Sequence, residues 1–206
     1  MSVEKTYNRY AAVYDTLFGL ILQHGRNKLA KLISKESGEK LLEIGVGSGL
    51  MLSLYPCKLS ITGIDISQGM LLKARKRALQ LHGRDITLLH VDGEYSRLPD
   101  GKFDHVVLPY VYSVTPDPDH MMMECFRLCS PGGQIWILNH FSGHGNIWDI
   151  LGWLVKPFSD FVGFRSDFSY DEYVANKSWK IESIHSVNLM GLSRIVQIRK
   201  SIEQDV

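Results

Sequence analysis

The sequence has few cysteines, almost no net charge and no long apolar run. Its three cysteines cannot all pair with one another, and no charged and apolar leader precedes Tyr7, so we expect a cytosolic protein. No 18 consecutive residues are apolar, which argues against a membrane-spanning helix. The 23 basic residues balance 22 acidic ones. The chain therefore lacks the positive field that draws proteins onto nucleic acid, and we expect no nucleic-acid partner.

The length and composition are those of one globular domain. At roughly 150 residues per domain, the 206 residues favour a single unit with an added segment. We divide it into an N-terminal helical segment (1–37), a ligand-binding core (38–140) and a substrate-side insertion followed by a C-terminal hairpin (141–206), and we expect a monomer. The apolar spacing predicts that the first segment is a helix ended by Ser37-Gly38.

Short apolar strands alternate with helices through the core. We predict strands at 41–44, 60–65, 86–91, 103–111 and 134–138, and helices at 67–81 and 117–129. A further helix is predicted from the glycine turn through Leu54, and residues 181–188 and 194–200 predict a hairpin. Such alternation is typical of the α/β class, in which helices cover both faces of a parallel sheet.

A glycine turn follows the first predicted strand. Gly45-Val46-Gly47-Ser48-Gly49 would bring backbone amides close to a ligand, because side chains are absent there. Asp65 ends the next strand, where a carboxylate can accept hydrogen bonds from both ribose hydroxyls. The two features predict a nucleotide-like ligand.

Glu43 narrows the choice of ligand. It lies just before the glycine turn, where it would repel a pyrophosphate, and Leu50 stands where the dinucleotide fingerprint needs its third glycine. A ligand with an α-amino group and no phosphate, such as S-adenosylmethionine, suits this position. Asp92, after the third strand, is suited to accept a hydrogen bond from an adenine amino group. The alternative for Asp65 and Asp92 is that each only caps the element that follows.

These motifs resemble the class I methyltransferases that depend on S-adenosylmethionine. The likeness runs from Leu41 to about His140 and includes Gly63-Ile64-Asp65, Leu98-Pro99 and Ser130-Pro131-Gly132-Gly133. It implies a three-layer Rossmann-like fold whose seven-stranded sheet is mostly parallel with an antiparallel last strand, covered by an N-terminal helical lid. It also implies S-adenosylmethionine as cofactor. The implied cofactor-binding residues are Glu43, Gly45, Gly47, Gly49, Asp65, Ile66, Asp92, Gly93 and Pro109.

Three further segments resemble the soluble bacterial phosphatidylethanolamine N-methyltransferases. They are Tyr7 to Asp15, Tyr110 to Pro118 and Leu138 to Phe141. This resemblance implies that a phospholipid amine is methylated stepwise to a choline headgroup. The opening pattern Y-x-x-x-A-x-x-Y-D also occurs in quinone-ring methyltransferases, so a small-molecule acceptor is the alternative.

Aromatic rings are the candidate acceptor-side groups. Tyrosine faces attract quaternary ammonium by roughly 0.5–2 kcal/mol, and methyl transfer mainly requires positioning. We expect Tyr7, Tyr14 and His140 to be catalytic, with His140 as proton acceptor, and Tyr110, Tyr112 and Arg165 to bind substrate. The alternative is that the tyrosines only pack in the core. No metal is expected, since His140 and His144 lie in a glycine-containing stretch with no third ligand.

A lipid substrate requires contact with a membrane. Residues 1–37 carry six basic and three acidic side chains beside an apolar face, a pattern suited to an anionic membrane surface. Trp148, Trp153, Phe158 and Phe161 offer a second candidate surface. We therefore expect peripheral association with the inner leaflet of the membrane. The alternative is a lid helix that packs on the core.

Overall fold

The computed structural model describes residues 22–141, 169–175, 177–188 and 191–202. The strands are β1 (Lys40–Ile44), β2 (Ser60–Asp65), β3 (Ile86–His90), β4 (Phe103–Pro109), β5 (Cys129–Asn139), β6 (Lys180–Val187) and β7 (Ser193–Arg199). The helices are α1 (Gln23–Ile33), α2 (Gln68–Ala78) and α3 (Pro118–Leu128), with a 3₁₀ turn at Gly93–Tyr95 and a π-helical turn at Asp171–Ala175.

All seven strands form one sheet, in the order β3-β2-β1-β4-β5-β7-β6. The first five pair in parallel, whereas β7 runs antiparallel to both β5 and β6. The expected sheet, with its antiparallel last strand and C-terminal hairpin, is confirmed. The strand order reverses between β1 and β4, because β1 leads outward to β2 while β4 starts on its other side.

Helices cover both faces of this sheet, which gives the three expected layers. On one face, Leu29 and Ile33 of α1 and Leu71 of α2 pack in one cluster. On the other, Met122 and Cys125 of α3 pack in a second cluster. Residues of β5 alternate between them: Ile135 and Ile137 join the α3 side, and Trp136 and Leu138 join the α1 side. Strands buried on both faces need continuous apolar runs, which is why the predicted strands read that way.

Two helix starts form as their sequences predict. The Ser67 hydroxyl oxygen accepts from the amide of Met70 at 3.2 Å and caps α2. Asp117 accepts from the amide of His120 at 3.0 Å and caps α3, with Pro118 in the first turn. In both cases the side chain satisfies an amide that has no partner inside the helix.

The prediction of a helix from the glycine turn through Leu54 is wrong. Residues 50–54 form successive turns with three-residue bonds, from the Leu52 amide to the Gly49 carbonyl and from the Leu54 amide to the Met51 carbonyl. Gly49, at φ +83°, and Pro56, which disfavours helical backbone in the residue before it, leave too short a stretch for an α-helix.

The start of β5 and the end of α1 differ from the predicted boundaries. Strand β5 begins at Cys129 and not at Gln134. The Pro131-Gly132-Gly133 stretch lies within the strand, at a register irregularity, and does not precede it. Helix α1 ends at Ile33 and is followed by a turn. The earlier part of the predicted N-terminal helix, residues 1–21, lies outside the described residues. Within the described ranges, no helix has the length and apolarity needed to cross a membrane.

Gly49 packs tightly against α2, and this predicts a measurable cost of substitution. A Cβ at Gly49 would lie 2.8 Å from Leu52 Cδ1 and 3.1 Å from Ala74 Cα, whereas a Cβ at Gly83 would meet nothing within 4 Å. Both glycines have positive φ. We expect Gly49→Ala to lower the free energy of unfolding by about 2–5 kcal/mol, from backbone strain plus overpacking. Gly83→Ala, the matched control, should cost about 1–2 kcal/mol from strain alone.

Urea unfolding followed by circular dichroism measures both variants. Equal losses for the two substitutions would show that packing at Gly49 contributes nothing beyond its backbone conformation.

Candidate functional site

A cavity of about 520 Å³ opens at the carboxyl ends of the parallel strands. It lies where the strand order reverses between β1 and β4, the usual ligand position in open α/β sheets. The structure brings most predicted cofactor residues to it. Those that line the cavity are Glu43, Gly45, Gly47, Asp65, Ile66, Asp92, Gly93 and Pro109. The predicted substrate residue Tyr110 lines it too.

The glycine turn brings bare backbone to the wall of the cavity. Gly47 has φ +56°, and a Cβ there would face open space, so this backbone is accessible to a ligand. At Gly45 a Cβ would lie 2.2 Å from Val111 Cγ2, which makes glycine a packing requirement. Arg77 donates to the Ser48 carbonyl at 2.5 Å and ties the turn to α2. The turn is therefore held before any ligand arrives.

Gly49 is the predicted cofactor residue that does not line the cavity. It packs instead between Leu52 and Ala74, where only glycine fits. The third glycine of the G-x-G-x-G pattern is therefore required by packing against α2 and not by the wall of the cavity.

Asp65 is locked in place by two backbone amides. Its Oδ2 accepts from Gly47 at 2.7 Å and its Oδ1 accepts from Ser67 at 2.7 Å. Burial raises the pKa of Asp65 despite these two hydrogen bonds. Ser67, and not Asp65, caps α2, so the capping alternative for Asp65 does not hold. Each oxygen keeps a second lone pair for a hydroxyl donor.

Asp92 and Glu94 connect the loop after β3 to the loop after β4. Asp92 is exposed, and its Oδ1 accepts from the Glu94 amide at 2.9 Å, so it caps the 3₁₀ turn while lining the cavity. Glu94 accepts from the Asp117 amide at 3.2 Å and from the Thr115 hydroxyl. Glu94 and Thr115 both line the cavity. Sequence reasoning missed them, because nothing local marks a buried carboxylate that braces a distant loop.

Glu43 is a buried carboxyl group with an unmatched oxygen. It is 1% exposed, and its Oε2 has no hydrogen-bond partner among the residues that the structure describes. Burial raises its pKa to about 8, and the neighbouring Tyr55 hydroxyl and Arg26 only partly oppose this rise. A cationic group in the cavity would supply the missing partner, which fits the α-ammonium of an amino-acid ligand.

Arg26 of α1 is a second site residue that sequence reasoning missed. It is 5% exposed, lines the cavity, and its guanidinium carbon lies 5.4 Å from the centroid of the Tyr110 ring. A signal was available in the sequence. Position 26 falls on the same helical face as Leu22, Leu29 and Ile33, so a charged residue stood on an apolar face.

His140 lies beside Tyr110 and is not among the residues that line the cavity. Its Nδ1 is 2.8 Å from Ser193 Oγ and 3.1 Å from the Leu192 carbonyl, and its ring centroid is 5.2 Å from that of Tyr110. Burial lowers the pKa of His140, which keeps the ring neutral near pH 7. The role of His140 as proton acceptor stays a prediction. In the structure, the His140 ring packs against the Tyr110 ring and supports it.

Tyr112 packs in the core and not on the cavity, so the substrate-binding expectation for it is corrected. It is fully buried, and its hydroxyl donates to the Tyr173 carbonyl at 3.2 Å. Strand alternation would place residues 110 and 112 on the same face, but β4 ends at Pro109 and Tyr110 has φ +62°, so the chain leaves the strand between them and the cavity and core take one ring each. Tyr7, Tyr14, Arg165 and the rings at 148–161 lie outside the described residues, so their roles stay predictions.

The residues present fit S-adenosylmethionine. Asp92 and Gly93 follow β3, Asp65 ends β2, and Glu43 lies in β1. Along the sheet order, these groups suit an adenine, a ribose and an amino acid in turn. Tyr110 follows β4, on the opposite side of β1 from β2 and β3. Glu43, Asp65, Asp92 and the Gly47 backbone would hold the cofactor, which supplies an electrophilic methyl group.

Comparisons with known proteins agree with this geometry. A family model described as a methyltransferase domain matches residues 42–137. A phosphatidylethanolamine N-methyltransferase from Cereibacter sphaeroides is 32% identical over 97% of this chain and 98% of its own length. A demethylmenaquinone methyltransferase from Listeria monocytogenes is 23% identical over 95% of this chain and 84% of its own.

Solved structures share the fold. A SAM-dependent methyltransferase from Aquifex aeolicus superposes with a TM-score of 0.68 at 15% identity, over 97% of this chain and 98% of that one. Fold, site and relatives agree, and the chain belongs to the family of S-adenosylmethionine-dependent methyltransferases.

Proposed function

We propose that this methyltransferase transfers methyl groups to the amine of phosphatidylethanolamine and of its monomethyl and dimethyl forms, toward phosphatidylcholine. The observation that carries the proposal is the 32% identity, over nearly the whole of both chains, to a phosphatidylethanolamine N-methyltransferase. The resemblance of residues 110–118 and 138–141 to the soluble bacterial phosphatidylethanolamine N-methyltransferases also supports it.

Methyl transfer requires little from the protein beyond positioning the amine and the methyl group. The lone pair of a neutral amine attacks the methyl carbon in line and the bond from that carbon to sulfur breaks. After the first two transfers the nitrogen loses a proton to solvent and becomes neutral again, whereas after the third it has no proton to lose and stays a quaternary ammonium. The chain has to hold the amine against the methyl group and exclude water. Val111, Val114 and Met121 give the cavity apolar walls beside Tyr110, which serves both needs.

The acceptor side suits a substrate that gains positive charge. Each round of methylation makes the nitrogen more nearly a quaternary ammonium, which aromatic faces attract. Tyr110 supplies such a ring at the cavity. Within this proposal the protein acts as a monomer, in the cytoplasm, at the anionic inner surface of the membrane. The contact segment is the part of residues 1–37 that precedes α1, because the apolar face of α1 packs on the sheet.

A second candidate function is methylation of a quinone-type ring. The demethylmenaquinone methyltransferases among the relatives favour it, although at 23% identity. The two reactions differ in their proton chemistry. A ring carbon has to be activated as a nucleophile by loss of a hydroxyl proton, whereas a neutral amine already carries its lone pair.

We expect the purified protein to move labelled methyl groups from S-adenosylmethionine into phosphatidylethanolamine vesicles. Thin-layer separation of the lipids would show the monomethyl, dimethyl and trimethyl products. Asp65→Ala is the control and should lose most of this activity, because it removes the ribose-binding carboxylate. Labelled demethylmenaquinol with unlabelled lipid would instead support the second candidate.

A second prediction concerns protons released when the cofactor product binds. Free Glu43, with a pKa of about 8, is protonated at pH 6.5, and a nearby ammonium favours its ionised form. Binding of S-adenosylhomocysteine should therefore release close to one proton per site at pH 6.5, and affinity should rise with pH up to about 8. In the free protein the same raised pKa favours folding at low pH, and this contribution is lost as pH rises through 8.

Calorimetry in buffers of different ionisation enthalpy measures this release. Glu43→Gln should abolish it and weaken binding about 10- to 100-fold, since a charged hydrogen bond is lost. Glu36→Gln, which alters a carboxylate bonded to Gln134 at the other end of the sheet, is the control and should release protons as the unaltered protein does. A release that survives in Glu43→Gln would assign the proton to another group.

A further inference from the structure

Asn188, just after β6, joins three parts of the molecule that lie far apart in sequence. Its Oδ1 accepts from the Gly25 amide of α1 at 2.8 Å. Its Nδ2 donates to the Tyr110 hydroxyl at 3.0 Å and to Ser193 Oγ of β7 at 2.7 Å. Its backbone has φ +63°, a conformation that asparagine tolerates better than most residues. The side chain thus uses its acceptor and both donors at once.

Asn188 supplies the cap that α1 lacks in its own sequence. Leu22 stands at the N-cap position and offers no side-chain hydrogen bond, and the first turn carries no acidic residue. First-turn amides have no partner inside a helix, and Gly25, the third residue of α1, receives its acceptor from Asn188, 163 positions later. The Asn188 amide also donates to His24 Nδ1 at 3.1 Å.

Gly25 shows how closely these parts meet. A Cβ at this position would lie 2.7 Å from the Tyr110 hydroxyl oxygen and 3.0 Å from Asn188 Oδ1. The start of α1 therefore lies directly against the Tyr110 hydroxyl. The next residue, Arg26, lines the cavity, so the hydrogen bond from Gly25 to Asn188 also affects where the Arg26 side chain lies.

The same contacts hold Tyr110 on the acceptor side of the cavity. Tyr110 has φ +62°, in the left-handed region that is unfavourable for a bulky residue, so surrounding contacts have to maintain it. Its hydroxyl receives a hydrogen bond from Asn188 and donates to the Leu22 carbonyl at 3.4 Å. On the other side, Ser193 links Asn188 to His140, whose ring lies against that of Tyr110.

We propose that Asn188 is a positioning residue of this methyltransferase, which fixes the start of α1 and the Tyr110 ring as one unit beside the reacting methyl group. It acts through Tyr110 and touches neither cofactor nor acceptor. The proposal rests on methyl transfer at this cavity and holds for a lipid amine or another acceptor alike.

Two substitutions at this position separate the contacts from the backbone. Asn188→Gly keeps the positive φ without strain and removes all three side-chain hydrogen bonds. Asn188→Asp keeps the acceptor for Gly25, and the hydroxyls of Tyr110 and Ser193 can rotate to donate to the carboxylate. Arg97→Gly is the matched control, because Arg97 is also non-glycine at positive φ, 54°, and does not line the cavity.

Three measurements follow each variant. We expect Asn188→Gly to lower kcat/KM for the acceptor about tenfold and to change the Kd of S-adenosylhomocysteine by less than about threefold. Hydrogen exchange should become faster in residues 22–33. Asn188→Asp should stay within about threefold of the unaltered protein in all three, and Arg97→Gly should match it.

The outcomes that overturn the proposal are distinct. One is an Asn188→Gly protein with unaltered exchange and kcat/KM. Another is an Asn188→Asp protein as impaired as Asn188→Gly. A third is a loss of cofactor affinity equal to the loss in kcat/KM, which would indicate general damage to the site.

A further variant keeps the test decisive if Asn188→Gly does not fold. Tyr110→Phe removes only the hydroxyl partner, and should lower the acceptor kcat/KM while exchange in residues 22–33 changes less. If the unaltered protein methylates no vesicle lipid, the lipid proposal fails. The exchange and cofactor measurements on the Asn188 variants still decide the role of Asn188.

Discussion

The reversal of strand order between β1 and β4 is the constraint on which the rest of the structure depends. Helices α1 and α2 pack on one face of the sheet, and α3 packs on the other. The loops that leave β1 and β4 therefore part at the carboxyl edge and leave the cavity between them. The last residues of β1, β2 and β4 line this space, because parallel strands end at the same edge.

The cavity contains a buried carboxyl group whose surroundings would be more favourable with a cationic ligand bound than without one. Glu43 is buried, one of its oxygens has no hydrogen-bond partner in the described part of the chain, and burial raises its pKa to about 8. A buried polar atom without a partner costs free energy that the fold supplies elsewhere. The complementary charge would come from the amino group of the cofactor, which explains why a glutamate can occupy a position that a phosphate-binding site would not tolerate.

Two of the three described non-glycine residues with positive φ lie together on the other side of the cavity. Tyr110 and Asn188 both have positive φ and are hydrogen-bonded to one another, while Ser193 connects them to His140. Such conformations persist where neighbouring contacts determine them. The cofactor side is built from glycine backbone and carboxylates in adjacent loops, whereas the acceptor side depends on hydrogen bonds between distant segments.

The sequence by itself determined the features that local rules govern. Apolar runs placed β1 to β5, Ser67 and Asp117 marked two helix starts, and the acids Glu43, Asp65 and Asp92, predicted to hold the cofactor, all line the cavity. Residues near in sequence set these elements, and parallel order then brings their ends together. The wrongly predicted helix after Gly49 shows the limit, because the packing of Gly49 on Ala74 of α2 is a tertiary contact that the local pattern does not reveal.

Only the tertiary structure decided which side chains meet across long separations. It turned Arg26 into the cavity, used Glu94 to brace the loop at Thr115, buried Tyr112 in the core and made Asn188 the cap of α1. No local pattern specifies such contacts, because each depends on how two segments far apart in the chain pack on the same sheet. Burial and hydrogen-bond partners arise from that packing, and residue type alone does not reveal them.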